Sequence, residues 1–172
     1  RYTSGIVLFA KNAYTKSLFS QPLASAKKTY LAVTHGRVIG NSGTINLPIL
    51  RLQSGNIRRG VSSDGAKSIT HYQLLDLVQY SGCNFSILKL EPETGRTHQL
   101  RVHCSALGHP IVGDQIYNNE ESKDISDRLN IHGQLLHAER LQFFHPIDNK
   151  NIDIHCPIIR EPMKSFLDLR KM

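Results

Sequence analysis

The sequence has little of what marks an exported or membrane-spanning protein. Its three cysteines, Cys83, Cys104 and Cys156, lie far apart and form no CxxC pair. An odd number of dispersed cysteines predicts reduced, buried thiols and no disulfide framework. No apolar run approaches the roughly 18 residues of a membrane-spanning helix, and the first twelve residues carry no cleavage pattern of a signal peptide. We therefore expect a cytoplasmic protein with no membrane partner.

Negative charge is also scarce. The 14 Asp and Glu residues are outnumbered by 21 Lys and Arg residues, which gives a formal net charge of +7. Such an excess attracts polyanions through long-range electrostatics and counterion release, but many basic proteins bind no nucleic acid. The charge alone leaves the partner open, so the spacing of motifs must decide. The 40% of hydrophobic and 20% of charged residues are ordinary for one globular domain over residues 1–172.

The pattern of apolar residues predicts an α+β fold. Residues 5–10, GIVLFA, are apolar at every position, which is typical of a central strand buried on both faces. Two β-rich runs at 68–77 and 85–90 flank a short turn and predict an antiparallel hairpin. Residues 135–137 and 141–143 predict two further short strands. Strands outnumber helices and most connections are too short for crossovers, so we expect a mixed, mainly antiparallel β-sheet with flanking helices.

The densest chemistry lies in residues 95–103, GRTHQLRVH. Thr97 can cap a helix whose start then lies among two arginines and two histidines. A helix N-terminus in such a setting favours binding of an anion or of a buried carboxylate. Arg96 precedes the cap and can reach outward to a phosphate, whereas Arg101 borders the buried face. Arg101 is therefore the better candidate for an inward ion pair.

Together with GHPIVGD at 108–114 and Tyr117, this segment resembles the motif of RluA-type, large-subunit ribosomal pseudouridine synthases. Other segments similar to that family recur in order: TSG and LFAK within residues 3–11, KTYLAV at 28–33, and LHA with HP within 136–146. Several landmarks in order carry more weight than one short motif. The resemblance implies a pseudouridine synthase catalytic domain that isomerises uridine to pseudouridine in ribosomal or transfer RNA, with no cofactor and no metal.

The resemblance also implies roles for individual residues. The family's nucleophilic aspartate ends a His-Arg-Leu-Asp run and would stand immediately before Arg1, so we expect an N-terminally truncated domain that is inactive alone. Tyr30 is implied to stack on uracil, and Arg101 to pair with the upstream aspartate and keep it ionised. Arg96 and His98 are assigned to substrate RNA or to local support of the site, and Leu136 to substrate binding.

Further basic residues lie in the segment 51–67, which is polar and rich in glycine and predicts a mobile loop. Arg51, Arg58, Arg59 and Lys67 can contact RNA phosphates from that loop, although a merely solvated loop explains them equally well.

Two alternatives concern the kind of site and the kind of protein. Nine histidines suggest zinc, but their spacings lack a recognised ligand set, so we expect no metal. A non-catalytic RNA-binding fragment or homologue is the alternative function, and the residue before Arg1 decides between the two. We expect structured RNA, ribosomal or transfer, as the partner of a monomer.

Overall fold

The computed structural model of the protein describes residues 2–19, 26–52, 57–159 and 161–169. The described strands and helices, in chain order, are β1 (Ser4–Gly5), α1 (Ala13–Leu18), β2 (Lys27–His35), β3 (Ser42–Asn46), β4 (Ile49–Arg51), β5 (Arg59–Val61), β6 (Ile69–Tyr80), β7 (Cys83–Pro92), α2 (Gln99–Ala106), α3 (Glu120–Arg128), β8 (Leu136–His145), β9 (Lys150–His155) and α4 (Met163–Asp168). No helix within these ranges is long and apolar enough to cross a membrane.

Seven of the strands form one sheet in the order β1-β8-β2-β7-β6-β3, with β9 also paired to β8. The β1–β8 pairing is parallel and the others are antiparallel. Strands β4 and β5 form a separate two-stranded unit, which we call the β4–β5 ribbon. The predicted α+β class with a mixed, mainly antiparallel sheet is thereby confirmed.

The predicted hairpin forms the middle of the sheet. Strands β6 and β7 are joined by Ser81 and Gly82, whose φ angles are 48° and 76°. Two consecutive positive φ angles are what a tight hairpin turn of matching twist needs, and glycine adopts them without steric cost. The hairpin prediction is therefore confirmed, with longer strands than the apolar pattern indicated.

The apolar core lies on both faces of the central strands because neighbouring strand residues point to opposite sides. On one face, Phe85 packs against Phe166 of α4, with ring centroids 5.0 Å apart. On the other face, Leu88 and Leu90 pack with Leu100 of α2. The sheet thus carries α2 on one side and α4 on the other, and α2 brings residues 95–103 to the sheet surface.

Two of the strand predictions are wrong in detail. Residues 5–10 are not a central strand: only Ser4 and Gly5 pair, at the sheet edge, and Val7 and Phe9 are 66% and 81% exposed. The two short strands predicted at 135–143 are one strand, β8. Its pairing with β2 jumps from Arg140 to Ala138, so Glu139 is an extra residue in a β-bulge. The bulge shifts the alternation of the side chains, which is why the sequence pattern looked interrupted.

A hydrogen-bonded chain joins β1, β8 and the segment after β9. The Ser4 hydroxyl lies 2.8 Å from Nδ1 of His137, and Nε2 of His137 lies 2.8 Å from the carbonyl oxygen of Cys156. A carbonyl oxygen only accepts, so Nε2 of His137 donates, and in the neutral imidazole Nδ1 accepts from Ser4. This chain fixes the edge strand β1 against the sheet.

Candidate active site

A pocket of about 310 Å³ opens where the start of α2 faces β2 and β8. Five residues that the sequence singled out line it: Tyr30, Arg96, His98, Arg101 and Leu136. They come from three separate parts of the chain, and the fold brings them to one place. Thr3, just ahead of the edge strand β1, lines the same pocket. The pocket therefore contains the residue types that could hold an anionic nucleotide: a phenol ring, two guanidinium groups and an imidazole.

Arg101 forms the predicted inward ion pair, but with Asp114. Its Nε and Nη2 atoms each lie 2.6 Å from a carboxylate oxygen of Asp114, and both side chains are nearly inaccessible to solvent. The backbone N–H groups of Ile116 and Tyr117 also donate to Asp114. Burial alone would raise the pKa of the Asp114 carboxyl, but the hydrogen bonds from Arg101 and the backbone hold that pKa below its ordinary value. Asp114 is thus a fixed anion that orients Arg101.

This ion pair gives Arg101 a partner that the sequence did not predict, and the implied pairing with an aspartate before Arg1 stays a prediction. The resemblance implied a pairing with an aspartate before Arg1, yet the edge of the guanidinium formed by Nε and Nη2 is held by Asp114. The sequence analysis places Asp114 in a family segment and assigns it no role. The available signal was the glycine directly before Asp114: in the structure Gly113 has a φ of 75°, which glycine adopts without steric cost and which turns Asp114 inward.

The start of α2 differs from the predicted cap. The N-cap is His98, not Thr97, and His98 has a φ of 59° with no capping hydrogen bond from its side chain. Gln99 takes over the stabilising role: its Oε1 accepts from the Thr94 hydroxyl and from the backbone N–H of Arg96, and its Nε2 donates to the carbonyl of Ile69. A buried glutamine therefore holds the loop that presents Arg96, and sequence reasoning missed it.

His98 contacts Tyr117, a second motif residue to which the sequence analysis assigns no role. Nδ1 of His98 lies 2.8 Å from the Tyr117 hydroxyl, and the Arg101 guanidinium carbon lies 4.8 Å from the centre of the Tyr117 ring. Burial, and after it the positive charge of Arg101, lowers the pKa of His98, so its imidazole is neutral near pH 7.

Tyr30 lies on β2 between Leu90 and Ala138 of the neighbouring strands and is half-buried at the edge of the apolar cluster. Burial raises the pKa of its phenol, so the hydroxyl keeps its proton and can donate a hydrogen bond. Tyr30 is thus held in the sheet by both neighbouring strands and lines the pocket.

The remaining predicted RNA-binding residues lie outside the pocket wall. Part of the predicted mobile loop is the β4–β5 ribbon, and residues 53–56 fall outside the described ranges. Arg58 directly precedes β5 and Arg59 is its first residue, and the Arg59 backbone N–H donates to the Tyr117 hydroxyl. Nε of Arg96 donates to the carbonyl of Lys67 at 3.2 Å. Arg58, Arg59 and Lys67 therefore lie outside the pocket that Arg96 lines.

Comparison with solved structures identifies the class of protein that this fold represents. The chain superposes on human RNA pseudouridylate synthase domain containing 1 with a TM-score of 0.71 and 28% identity, covering 94% of this chain and 74% of that one. Human RNA pseudouridylate synthase domain containing 4 shows the same fold, with a TM-score of 0.65 and 24% identity over 90% of this chain and 66% of that chain.

Sequence comparison is more specific, and the chain belongs to the RNA pseudouridylate synthase family, whose model matches residues 1–106. It is 36% identical over 172 residues to the dual-specificity RNA pseudouridine synthase RluA of Vibrio parahaemolyticus, covering 96% of this chain and 67% of that protein. It is 39% identical over 166 residues to the uncharacterized RNA pseudouridine synthase YjbO of Bacillus subtilis, covering 95% of this chain and 55% of that protein. The RluA-type resemblance is confirmed, and the chain spans about half the length of the curated relatives it matches first.

Proposed function

We propose that these residues form the catalytic domain of an enzyme that isomerises uridine to pseudouridine in structured RNA. The observation that carries the proposal is the convergence of Tyr30, Arg101, Arg96, His98 and Leu136 on one pocket, together with Thr3 from the segment that follows the family's aspartate. Membership of the family and the net charge of +7 support an RNA substrate.

The proposed nucleophile is an aspartate at the position before Arg1. That position is three residues from Thr3, and an extended chain spans at most about 3.6 Å per residue, so its Cα would lie within about 11 Å of Thr3. Thr3 and Arg101 line the same pocket, and Asp114 bonds only Nε and Nη2 of Arg101, so we assign the Nη1 side to this carboxylate. In this proposal Arg101 bridges two carboxylates, one that fixes it and one that it keeps ionised.

The reaction breaks the bond between C1′ of ribose and N1 of uracil and forms a bond between C1′ and C5. N1 gains a proton and C5 loses one, so the overall change is an isomerisation. A uridine within RNA structure must first be extruded, at a cost of a few kcal/mol, and stacking on a ring offsets that cost. We assign the stacking to Tyr30, whose protonated hydroxyl can also relay a proton. Leu136 supplies an apolar wall.

The outer part of the pocket is assigned to the RNA backbone. Arg96 is exposed and oriented by the carbonyl of Lys67, and Arg58, Arg59 and Lys67 extend a basic surface beyond it. Phosphate contacts of this kind make binding fall steeply as salt rises. We propose ribosomal or transfer RNA as the substrate of a monomer in the cytoplasm. The three cysteines are free thiols, in keeping with a reducing compartment.

The decisive experiment compares two versions of the chain, one preceded by His-Arg-Leu-Asp and a matched one preceded by His-Arg-Leu-Asn. Both are incubated with ribosomal and transfer RNA, and pseudouridine is measured by mass spectrometry of nuclease digests, with RNA affinity measured in parallel. We expect pseudouridine only with the aspartate and equal affinity in both. Equal affinity without product from either version would favour a non-catalytic RNA-binding protein, and a lack of salt-dependent RNA binding would contradict both readings.

A further inference from the structure

Tyr117 makes more specific contacts than its place in the core requires. It is 5% exposed and packs with Ile49 of β4 and Val102 of α2. Its backbone N–H donates to Asp114, and its ring lies against the Arg101 guanidinium. Packing and these two contacts would be equally served by phenylalanine, so the hydroxyl group needs a separate explanation.

The hydroxyl joins two regions of the molecule. It accepts a hydrogen bond of 2.9 Å from the Arg59 backbone N–H, at the start of β5, and it lies 2.8 Å from Nδ1 of His98 at the pocket. Arg59 faces Arg51 in the ribbon, and the N–H that it directs to Tyr117 is not used in that pairing. A single oxygen atom therefore connects the β4–β5 ribbon to a side chain that lines the pocket.

The arrangement of protons follows from counting donors. Tyr117 has one hydroxyl hydrogen, and Arg59 already donates to its oxygen. If Nδ1 of His98 also donated to that oxygen, the hydroxyl hydrogen would have no acceptor among the contacts of the described residues. If the hydroxyl donates to Nδ1, each of the three groups is satisfied, and the neutral imidazole carries its hydrogen on Nε2.

His98 is held in a backbone conformation that favours this role. Its φ of 59° lies in the left-handed region, which is unfavourable for a residue with a side chain and is retained where the surroundings enforce it. The Val102 N–H donates to the His98 carbonyl at 3.0 Å, which fixes the backbone from the helix side. Tyr117 then fixes the ring, with the two ring centres 5.5 Å apart.

We propose that Tyr117 is a positioning residue whose hydroxyl couples the β4–β5 ribbon to the pocket and directs His98 to carry its hydrogen on Nε2. Nε2–H is then a hydrogen-bond donor for an oxygen of the bound nucleotide. The consequence for catalysis rests on the proposed function; the coupling itself does not.

The test replaces Tyr117 by Phe, which removes one oxygen and keeps the ring. Tyr14→Phe is the matched control, because Tyr14 lies on α1 and is 68% exposed. Nitrogen-15 NMR of the histidine rings at neutral pH reports which nitrogen carries the hydrogen, and amide exchange reports the Arg59 N–H. In Tyr117→Phe we expect the ratio of the His98 tautomers to shift by about 3- to 10-fold toward Nδ1–H, and Arg59 exchange to accelerate by a similar factor, as expected for one lost hydrogen bond.

Unchanged tautomers and unchanged Arg59 exchange in Tyr117→Phe would overturn the proposal, as would the same changes in Tyr14→Phe. If Tyr117→Phe failed to fold, the unsubstituted protein would still decide, since a neutral His98 with its hydrogen on Nδ1 contradicts the proposed donor. Neither measurement needs activity. A version preceded by His-Arg-Leu-Asp that made no pseudouridine would therefore overturn the proposed function alone, whereas an active one should lose about 3- to 10-fold in kcat/KM on Tyr117→Phe.

Discussion

Two arginine–aspartate pairs in this protein have nearly the same geometry and very different surroundings. In the pocket, Arg101 and Asp114 are joined by two bonds of 2.6 Å, and their side chains are 9% and 0% exposed. On the β8–β9 strand pair, Arg140 and Asp153 are joined by bonds of 2.9 and 2.5 Å, with side chains 39% and 44% exposed. Because both pairs have two hydrogen bonds and differ in exposure, the comparison separates the effect of bidentate geometry on stability from the effect of burial.

The buried pair is the one on which the structure depends. Removing a charged pair from water is costly, and the cost is recovered only if each charge stays fully bonded. Asp114 meets that condition with two backbone N–H donors in addition to Arg101. In the exposed pair, water and salt can replace either partner, so little is lost when one is absent. Two ion pairs of similar geometry can therefore differ widely in how much the fold loses when one partner is removed.

The largest effect is expected from Asp114→Asn. The substitution leaves the Arg101 guanidinium buried without its counter-ion, and losses of about 3–5 kcal/mol in the free energy of unfolding are typical of such a change. Urea denaturation followed by circular dichroism measures it. A loss below about 1 kcal/mol, the range of exposed pairs, would show that the pocket pair is not effectively buried.

The chemistry of the pocket can be tested at Tyr30. Tyr30→Phe keeps the ring that we propose to stack on uracil and removes the hydroxyl, so kcat should fall by about 100-fold or more, the usual range for a lost proton-transfer group. The assay uses the version preceded by His-Arg-Leu-Asp and measures pseudouridine formation and RNA affinity. We expect unchanged affinity, and Tyr14→Phe should retain full rate. A wild-type rate for Tyr30→Phe would remove the hydroxyl from the mechanism.

A buried histidine behind the Arg101–Asp114 pair should make the free energy of unfolding depend on pH. His35 is buried, and Nε2 of its ring lies 3.0 Å from the Ser126 hydroxyl, whose oxygen accepts the Gly113 N–H next to Asp114. Burial lowers the pKa of His35 to about 4 from 6.5. As the pH falls, His35 of the unfolded chain therefore takes up a proton before His35 of the folded protein does. The contribution of neutral His35 to the free energy of unfolding is complete above pH 6.5 and is lost as the pH falls toward 4.

His35→Gln should remove that part of the slope, on the order of 2–3 kcal/mol between pH 7 and pH 4. Urea denaturation of both proteins at several pH values measures the difference. Parallel stability curves for His35→Gln and the unsubstituted protein would contradict the assignment of this slope to His35.

The smallest effect is expected on the exposed side of the comparison. Asp153→Asn removes the charge opposite Arg140, but both side chains are open to water, so the free energy of unfolding should not change measurably. The same urea experiment serves as the control for Asp114→Asn. If the two substitutions were equally damaging, burial would not be what distinguishes the two pairs.

Local features of the fold could be predicted because their causes are local. The hairpin turn at Ser81 and Gly82 follows from two short runs around residues that tolerate positive φ angles. The apolar run at 5–10 was misinterpreted because a continuous run does not reveal whether anything covers it, and Val7 and Phe9 remain exposed. A residue pattern reports what a strand could bury, whereas the sheet order decides what it does bury.

The sequence predicts which residues line the candidate pocket, but it does not predict the residues to which they bond. The motif placed Arg101 on the inward side of α2, and that is where it lies. Its partner Asp114 is 13 residues further on and is brought inward by a turn, which side-chain periodicity does not report. Likewise, the contact between Tyr117 and Arg59 joins residues 58 positions apart and depends on the packing of the ribbon against α2.

The hydrogen-bonded chain from Ser4 through His137 to Cys156 has a practical consequence for handling the protein. Its three members come from the first strand, from β8 and from the segment after β9, so early and late parts of the polypeptide are fastened at one point. A version trimmed past residue 4 and one trimmed before residue 156 would each lose a member of the same chain. Because α4 also packs into the core, tags and fused domains should be attached outside residues 4–168. Loss of Ser4 or of the Cys156 carbonyl should loosen the His137 ring that both contact.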